Sequence, residues 1–173
     1  GPAVARCVAL EFTDIVVDGV DDEALRDLVL PATFSTRFFD ALQEPPPALG
    51  ITQPMQHAAW RYVVAHAGRT LRTNALAQAI GVTREHLSRT FASSGAPNLK
   101  RVIDLVRLIA AAELAKNPGY DIADVARILG FASSSHLSST AQRVVGTRPA
   151  SLSRLRAVDL VERFAQGRSR SRS

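Results

Sequence analysis

ALAQAIGVTREHLSRTF, residues 75–91, and DVARILGFASSSHLSSTA, residues 124–141, are two versions of one pattern. Each opens on a short helical stretch with a small inward residue, Ala77 or Ala126. Alanine suits a point where two helices cross too closely for a longer side chain. A glycine follows, Gly81 or Gly130, and then an apolar residue, Val82 or Phe131. Glycine enters the left-handed conformation at little cost, so it lets a chain turn sharply out of a helix. A second helical stretch carries a recurring His-Leu-Ser-x-Thr at 86–90 and 136–140, with Leu87 or Leu137 as its inward residue. The second copy has one more residue between glycine and leucine. One helix, a tight glycine turn and a second helix form a common αα unit. Two copies separated by one well-formed helix carry far more weight than either alone.

The separating helix is read from Asn98 to Lys116, with Leu99, Val102, Ile103, Val106, Ala110 and Leu114 on one side. Lys100, Arg101, Asp104 and Arg107 fall mostly on the other, and Asn117-Pro118-Gly119 ends the segment. Upstream, Met55, Ala58, Ala59, Tyr62 and Val63 recur at helical spacing, which predicts a helix from Pro54 to about His66. Downstream, a last helix is expected to begin at Pro149, to turn Leu152 and Leu155 inward and to run on through Val161 and Phe164. The fold class is therefore mainly α: a seven-helix double unit joined by a linking helix and preceded by a small α/β fragment.

Charge divides the chain in the same place as pattern. Residues 1–51 hold three arginines (Arg6, Arg26, Arg37) against nine acids, net −6; residues 52–173 hold 18 basic against seven acidic side chains, net +11. Glu44-Pro45-Pro46-Pro47 lies at the change of sign, and consecutive prolines cannot continue a helix. The expected division is a partial α/β segment at 1–44, a proline-rich linker at 45–51, the helical domain at 52–165 and a disordered basic tail at 166–173. In the first segment Val4–Leu10 and Asp14–Val20 read as strands. Asp21-Asp22-Glu23 opens a helix with Leu25, Leu28 and Val29 on one face, and a second short helix at Ser35–Leu42 would bury Phe34, Phe38 and Leu42. This arrangement resembles the last strands and helix of a receiver-like α/β domain. Gly1-Pro2 has the look of a cleavage scar, so the chain is expected to begin partway through a longer protein.

Several functions are excluded or disfavoured by residue usage. A single cysteine, Cys7, rules out an internal disulfide and any cysteine-based zinc site, and His57, His66, His86 and His136 show no i,i+4 pairing, so no metal and no cofactor is expected. Asp14, Asp18, Asp21 and Asp22 suit turns and helix caps better than a phosphorylation or metal site. The longest apolar run, Leu105 to Ala115, is broken by Arg107 and Glu113 and is far shorter than the ~20 residues of a membrane span. With no secretory leader visible, the expected compartment is the cytoplasm, with no membrane partner. A concentrated positive field raises the encounter rate with polyanions, of which nucleic acid is the commonest.

From about Thr52 to Leu155 the chain resembles the AraC/XylS family of bacterial transcription regulators. The resemblance rests on the paired units, on the linking helix LKRVIDLVRLIAAAELA, on Gly130-Phe131 with its serine-rich turn, and on Gly146-Thr147-Arg148-Pro149. It implies two helix-turn-helix units whose second helices enter successive major grooves on one face of a duplex, roughly 34 Å apart. It implies no enzymatic activity. The implied partners are double-stranded DNA, RNA polymerase and a second copy of the chain engaged through the N-terminal region.

Carried over by position, the outward residues of the first recognition helix are Arg84, Glu85, Ser88 and Arg89. Arg89 is placed to bond both acceptors of guanine and Glu85 to accept from cytosine, while Thr83 and Arg72 are placed near phosphates. His86 reads as a core or surface residue. The second unit departs from the family: Ser134, Ser135, Ser138 and Ser139 line its helix, Ser139 standing where members commonly carry a basic residue. Ala141 replaces a usual phenylalanine and Leu137 another. Serine discriminates bases poorly, so the first unit is expected to read sequence and the second to position through Ser133, Arg143 and Arg148. A degenerate helix-turn-helix that binds another regulator instead of DNA is the second reading. A repair enzyme using Cys7 is the third, set against a buried, inert thiol.

Overall fold

The structure, a computed structural model, describes residues 41–66, 71–93 and 95–170, with side chains to 167. The strands and helices expected before residue 41, with Cys7 and the four aspartates, lie outside them, so the α/β fragment is not shown. The described residues all belong to one unit, Phe34–Ser173. Among them the chain is mainly helical, without strands.

A 3-10 turn at Pro47–Leu49 precedes seven α-helices: α1 Pro54–Ala65, α2 Thr73–Ala79, α3 Arg84–Ser93, α4 Leu99–Leu114, α5 Ile122–Ile128, α6 Ser134–Val145 and α7 Ala157–Arg170. A second 3-10 turn, Pro149–Arg154, lies between α6 and α7. The caps follow from local chemistry. Asn98, after Pro97, accepts the Arg101 N–H at 2.9 Å and starts α4. Asp121 accepts from Ala123 and Asp124 at 2.8 Å each, while Asp124 accepts the Asp121 N–H at 3.1 Å, closing a reciprocal box at the head of α5.

Helix α4 is the axis of the molecule. Helices α1, α5, α6 and α7 and the second 3-10 turn all pack against it. Thirteen of its 16 residues are buried, among them Asp104 and Arg107. The one-sided helix read from sequence is therefore corrected: Lys100 stays exposed, but at Asp104 and Arg107 the face opposite the apolar stripe is covered too. Both are accommodated by partners. Asp104 holds the Arg143 guanidinium at 3.0 Å, and Arg107 donates through Nη2 to the Leu129 carbonyl at 2.7 Å. Three consecutive alanines, Ala110, Ala111 and Ala112, are fully buried where longer side chains would hold neighbouring helices away.

The stretch expected as a linker is part of this core. Leu49 is fully buried, Ile51 is buried, and the first 3-10 turn lies against α7. Further back, Leu42 is buried as expected, and its carbonyl accepts the Trp60 indole N–H at 2.8 Å. The prolines rule out a helix, but they leave Leu49 free to pack.

The C-terminal region also differs from its reading. Pro149 opens a 3-10 turn, Leu155 is extended, and α7 begins afresh at Ala157. The restart has a cap of its own: Asp159 accepts from the Arg156 backbone N–H at 2.8 Å and from its guanidinium at 3.1 and 3.2 Å. Leu160 and Phe164 then pack fully buried, and the helix runs to Arg170, through the start of the stretch expected to be disordered. Extending an existing helix by a turn fixes few residues per hydrogen bond, so no apolar anchor is required beyond Gln166.

The Arg156 side chain first, and its backbone N–H second, hold the Asp159 carboxyl below the usual aspartate range. A depressed folded value means that this cap contributes fully above the unfolded value of about 3.9 and is lost as pH falls through the folded one. In an NMR titration the Asp159 carboxyl is expected to titrate below that value, and Arg156→Ala should raise its midpoint. A midpoint already at the ordinary value would show the cap to be absent.

Candidate nucleic-acid interface

The two repeated units close their turns with the same hydrogen bonds. In the first, Val82 N–H reaches the Ala77 carbonyl at 3.0 Å and Gly81 N–H the Gln78 carbonyl at 3.1 Å. In the second, Phe131 N–H reaches Ala126 at 2.8 Å and Gly130 N–H reaches Arg127 at 3.0 Å. These are the paired bonds of a Schellman motif, which needs a left-handed residue after the helix, and Gly81 and Gly130 have φ of 75° and 63°. Ala77 and Ala126 are buried beneath the turns, as the repeat predicts.

The extra residue of the second unit falls in its turn. Thr83 and Ser133 cap the following helices, accepting the backbone N–H of His86 at 3.2 Å and of His136 at 3.0 Å. From each cap the inward leucine, Leu87 or Leu137, is four residues on. Arg84, Glu85, Ser88 and Arg89 of α3 therefore correspond to Ser134, Ser135, Ser138 and Ser139 of α6, with Ala132 as the insertion. His86 and His136 correspond too, and both lie at the surface.

The two faces differ in chemistry. On α3 the four residues are exposed, while Leu87 and Phe91 behind them are fully buried. Among the described residues no ion pair engages Arg84, Glu85 or Arg89. On α6 part of the face is turned inward on the helix: Ser138 Oγ donates to the Ser134 carbonyl at 2.9 Å and Ser139 Oγ to the His136 carbonyl at 3.1 Å. A hydroxyl that has given its single proton to a carbonyl retains only acceptor capacity. Phosphate oxygens and the guanine edge ask for donors, which these two hydroxyls offer only by giving up those bonds.

The flanking residues sort in the same way. Arg72, at the head of α2, and Arg148, at the head of the second 3-10 turn, are exposed. Arg143 remains half-exposed but is held by Asp104. An open groove of about 610 Å3 at the C-terminal end of α6 is lined by Arg101, Arg143 and Arg163 with Gln142 and Gln166. Two of its guanidiniums are engaged within the protein, Arg143 by Asp104 and Arg101 5.0 Å over the Phe164 ring.

Gln56, Asp104 and Arg107 were not singled out as site residues. Gln56 accepts the Thr52 and Gln53 N–H groups at 3.0 and 3.1 Å and donates to the Thr90 carbonyl at 3.1 Å, tying α1 to the back of α3. A glutamine at the third position of a helix is the sequence sign of such a cap. Asp104 and Arg107 were visible only as charges interrupting an apolar run.

Residues 76–154 match a family model described as a helix-turn-helix domain, of the AraC type. Over this span the chain is similar to that family. The match runs from the first unit's α2 to the end of the second 3-10 turn and does not reach the region read as receiver-like. The family is one of DNA-binding regulatory domains and not of enzymes. Comparison with curated proteins and with solved structures returned no match. No described helix is long and apolar enough to cross a membrane.

A Cβ added at Gly81 would meet nothing within 4 Å, so substitution there strains only the backbone. Gly81→Ala is expected to cost about 1–2 kcal/mol in urea denaturation, the usual penalty of a left-handed non-glycine residue. Unchanged stability would mean that the turn relaxes out of the left-handed conformation.

Proposed function

We propose that this protein is a sequence-specific regulator of transcription that places α3 and α6 in successive major grooves of double-stranded DNA. The observation that carries this reading is the matched register of two capped helices, each behind the same glycine turn and each leaving its cap-proximal polar face at the surface. Arg89 and Arg84, with Glu85 and Ser88, supply base contacts, since a free guanidinium can bond both acceptors of guanine and a free carboxylate can accept from cytosine. Arg72 and Arg148 supply phosphate contacts, and Thr83 and Ser133 stand at the helix heads where phosphates approach. Ser134 and Ser135 are the part of the α6 face best able to donate.

The second unit contributes placement more than reading. Its serine face, partly bonded to its own backbone, is also what favours the alternative of an interaction module that binds another regulator. RNA polymerase and a second copy of this chain are the further partners of the leading reading, and the cytoplasm of a bacterium is its setting.

Selection of duplexes from a random library, followed by titration at several salt concentrations, tests the proposal. Arg89→Ala should weaken the selected site by about 1–3 kcal/mol and relax preference at one base. Arg72→Ala should weaken all duplexes alike and reduce the slope of log K against log salt by about 0.9, the share of one phosphate. Arg143 is less suitable for this comparison, because its removal leaves Asp104 without its partner. Absence of salt-dependent duplex binding by the unaltered protein would favour the interaction module.

A further inference from the structure

The two units are tied to the rest of the molecule by different means. The first is held through Gln56 of α1, which donates to the Thr90 carbonyl of α3. The second is held from α4, and the tether ends in its turn. Arg107 Nη2 donates to the carbonyl of Leu129, the residue just before Gly130, and the guanidinium carbon stands 3.9 Å over the Phe131 ring. The edge of that ring meets His136, centroids 5.6 Å apart at 75°. His136 Nδ1 in turn accepts the Ala132 N–H at 3.3 Å. Guanidinium, phenyl and imidazole thus form a continuous chain of contacts from the linking helix to the first turn of α6.

Stability alone is a poor reason for an arginine here. The residue is only 8% exposed and its Nε is buried without a hydrogen-bond partner. Asp104 on the same helix already has Arg143 as its close partner. An apolar side chain of similar length would fill the space without desolvating a charge. What an apolar residue could not supply is direction: a planar donor fixes both the carbonyl it bonds and the ring it faces.

We infer that Arg107 is a positioning residue that sets the rotational register of the second recognition helix on the linking helix, and so the half-site spacing the protein accepts. The inference rests on the DNA-binding reading above. Arg107 touches no base and no phosphate in this role. It acts through Leu129 and Phe131 on the approach of α6.

Arg107→Met keeps the stem and removes the fork, and Asp104 keeps its pairing with Arg143. Two duplexes are compared, the site selected by the unaltered protein and the same site with one base pair inserted between half-sites, which displaces the second by about 3.4 Å along the axis. For the unaltered protein the insertion is expected to weaken binding roughly tenfold, the scale of one mismatched contact. For Arg107→Met the penalty should fall below about threefold, while affinity for the first half-site alone is unchanged. A purely structural role would weaken all duplexes together and leave the spacing penalty intact. Phe131→Leu, which removes the ring but keeps the core filled, should relax spacing in the same way.

A DNA-free measurement separates failure of this inference from failure of the DNA-binding reading. In native-state hydrogen exchange, Arg107→Met should speed exchange at the Gly130 and Phe131 amides by roughly tenfold, the loss expected when a buried hydrogen bond no longer holds the turn. The Gly81 and Val82 amides of the first unit should not change. Unchanged exchange at Gly130 and Phe131, or an undiminished spacing penalty on duplexes that the unaltered protein does discriminate, overturns the positioning role. If the unaltered protein binds no duplex, exchange alone decides whether Arg107 fixes the turn.

Discussion

Helix α4 is buried along 13 of its 16 residues, and this burial is the constraint on which the remaining structure depends. A helix with one apolar stripe can belong to one half of a molecule, whereas α4 packs against α1 of the first unit and against α5, α6 and α7 of the second. Each fully buried leucine or isoleucine along it contributes about 1.5–3 kcal/mol. Leu105, Leu108 and Ile109 are all of this kind. The two units therefore share one core and cannot rotate about the linker without exposing it. Two candidate surfaces on a common core keep a fixed relation, which is what the proposed recognition across one helical turn of DNA would demand.

Much of this fold was legible because it is written in local chemistry. The glycine turns, the small alanines beneath them and the inward leucines each depend on residues within one or two helical turns. The misreadings share one origin in long-range packing. Leu49 and Ile51 were assigned to a linker because proline marks a break in helix, yet a break does not forbid burial. Asp104 and Arg107 were placed opposite the apolar stripe, the side where charge is normally exposed. Their partners Arg143 and Leu129 stand 39 and 22 residues away and could not be seen from the helix itself. The false continuity from Pro149 into α7 arose because Leu152, Leu155, Val161 and Phe164 approximate one helical period, while the break at Leu155 and Arg156 depends on a cap formed by Asp159.

The candidate interface was legible at the level of position and less so at the level of chemistry. The family resemblance placed Arg84, Glu85, Ser88 and Arg89 on the outer face of α3, where the structure has them exposed. Pattern also aligned the serines of α6 with them. It could not show that Ser138 and Ser139 spend their protons on carbonyls of their own helix, or that Arg143 leans on Asp104. Hydroxyl rotors and paired guanidiniums are decided by neighbours in space.

These commitments leave two units of the same design with different contacts, the basis of the difference in task proposed above. A recognition helix reads bases with side chains that have no internal partner, and it is steered by contacts behind it. On α3 the outward charges are unpaired and the rear contact is a neutral amide from Gln56 to a carbonyl of the helix itself. On α6 the outward hydroxyls are partly satisfied, and the rear contacts are charged and directional: Arg107 at the turn before the helix, Asp104 at Arg143 in its last turn. On the DNA-binding reading proposed above, the first helix would be free to discriminate but lightly steered, and the second firmly steered with little discrimination. On that proposal, a weak reader in a fixed place would still sharpen recognition, because it would penalise any site whose second half-turn lies out of register with the first.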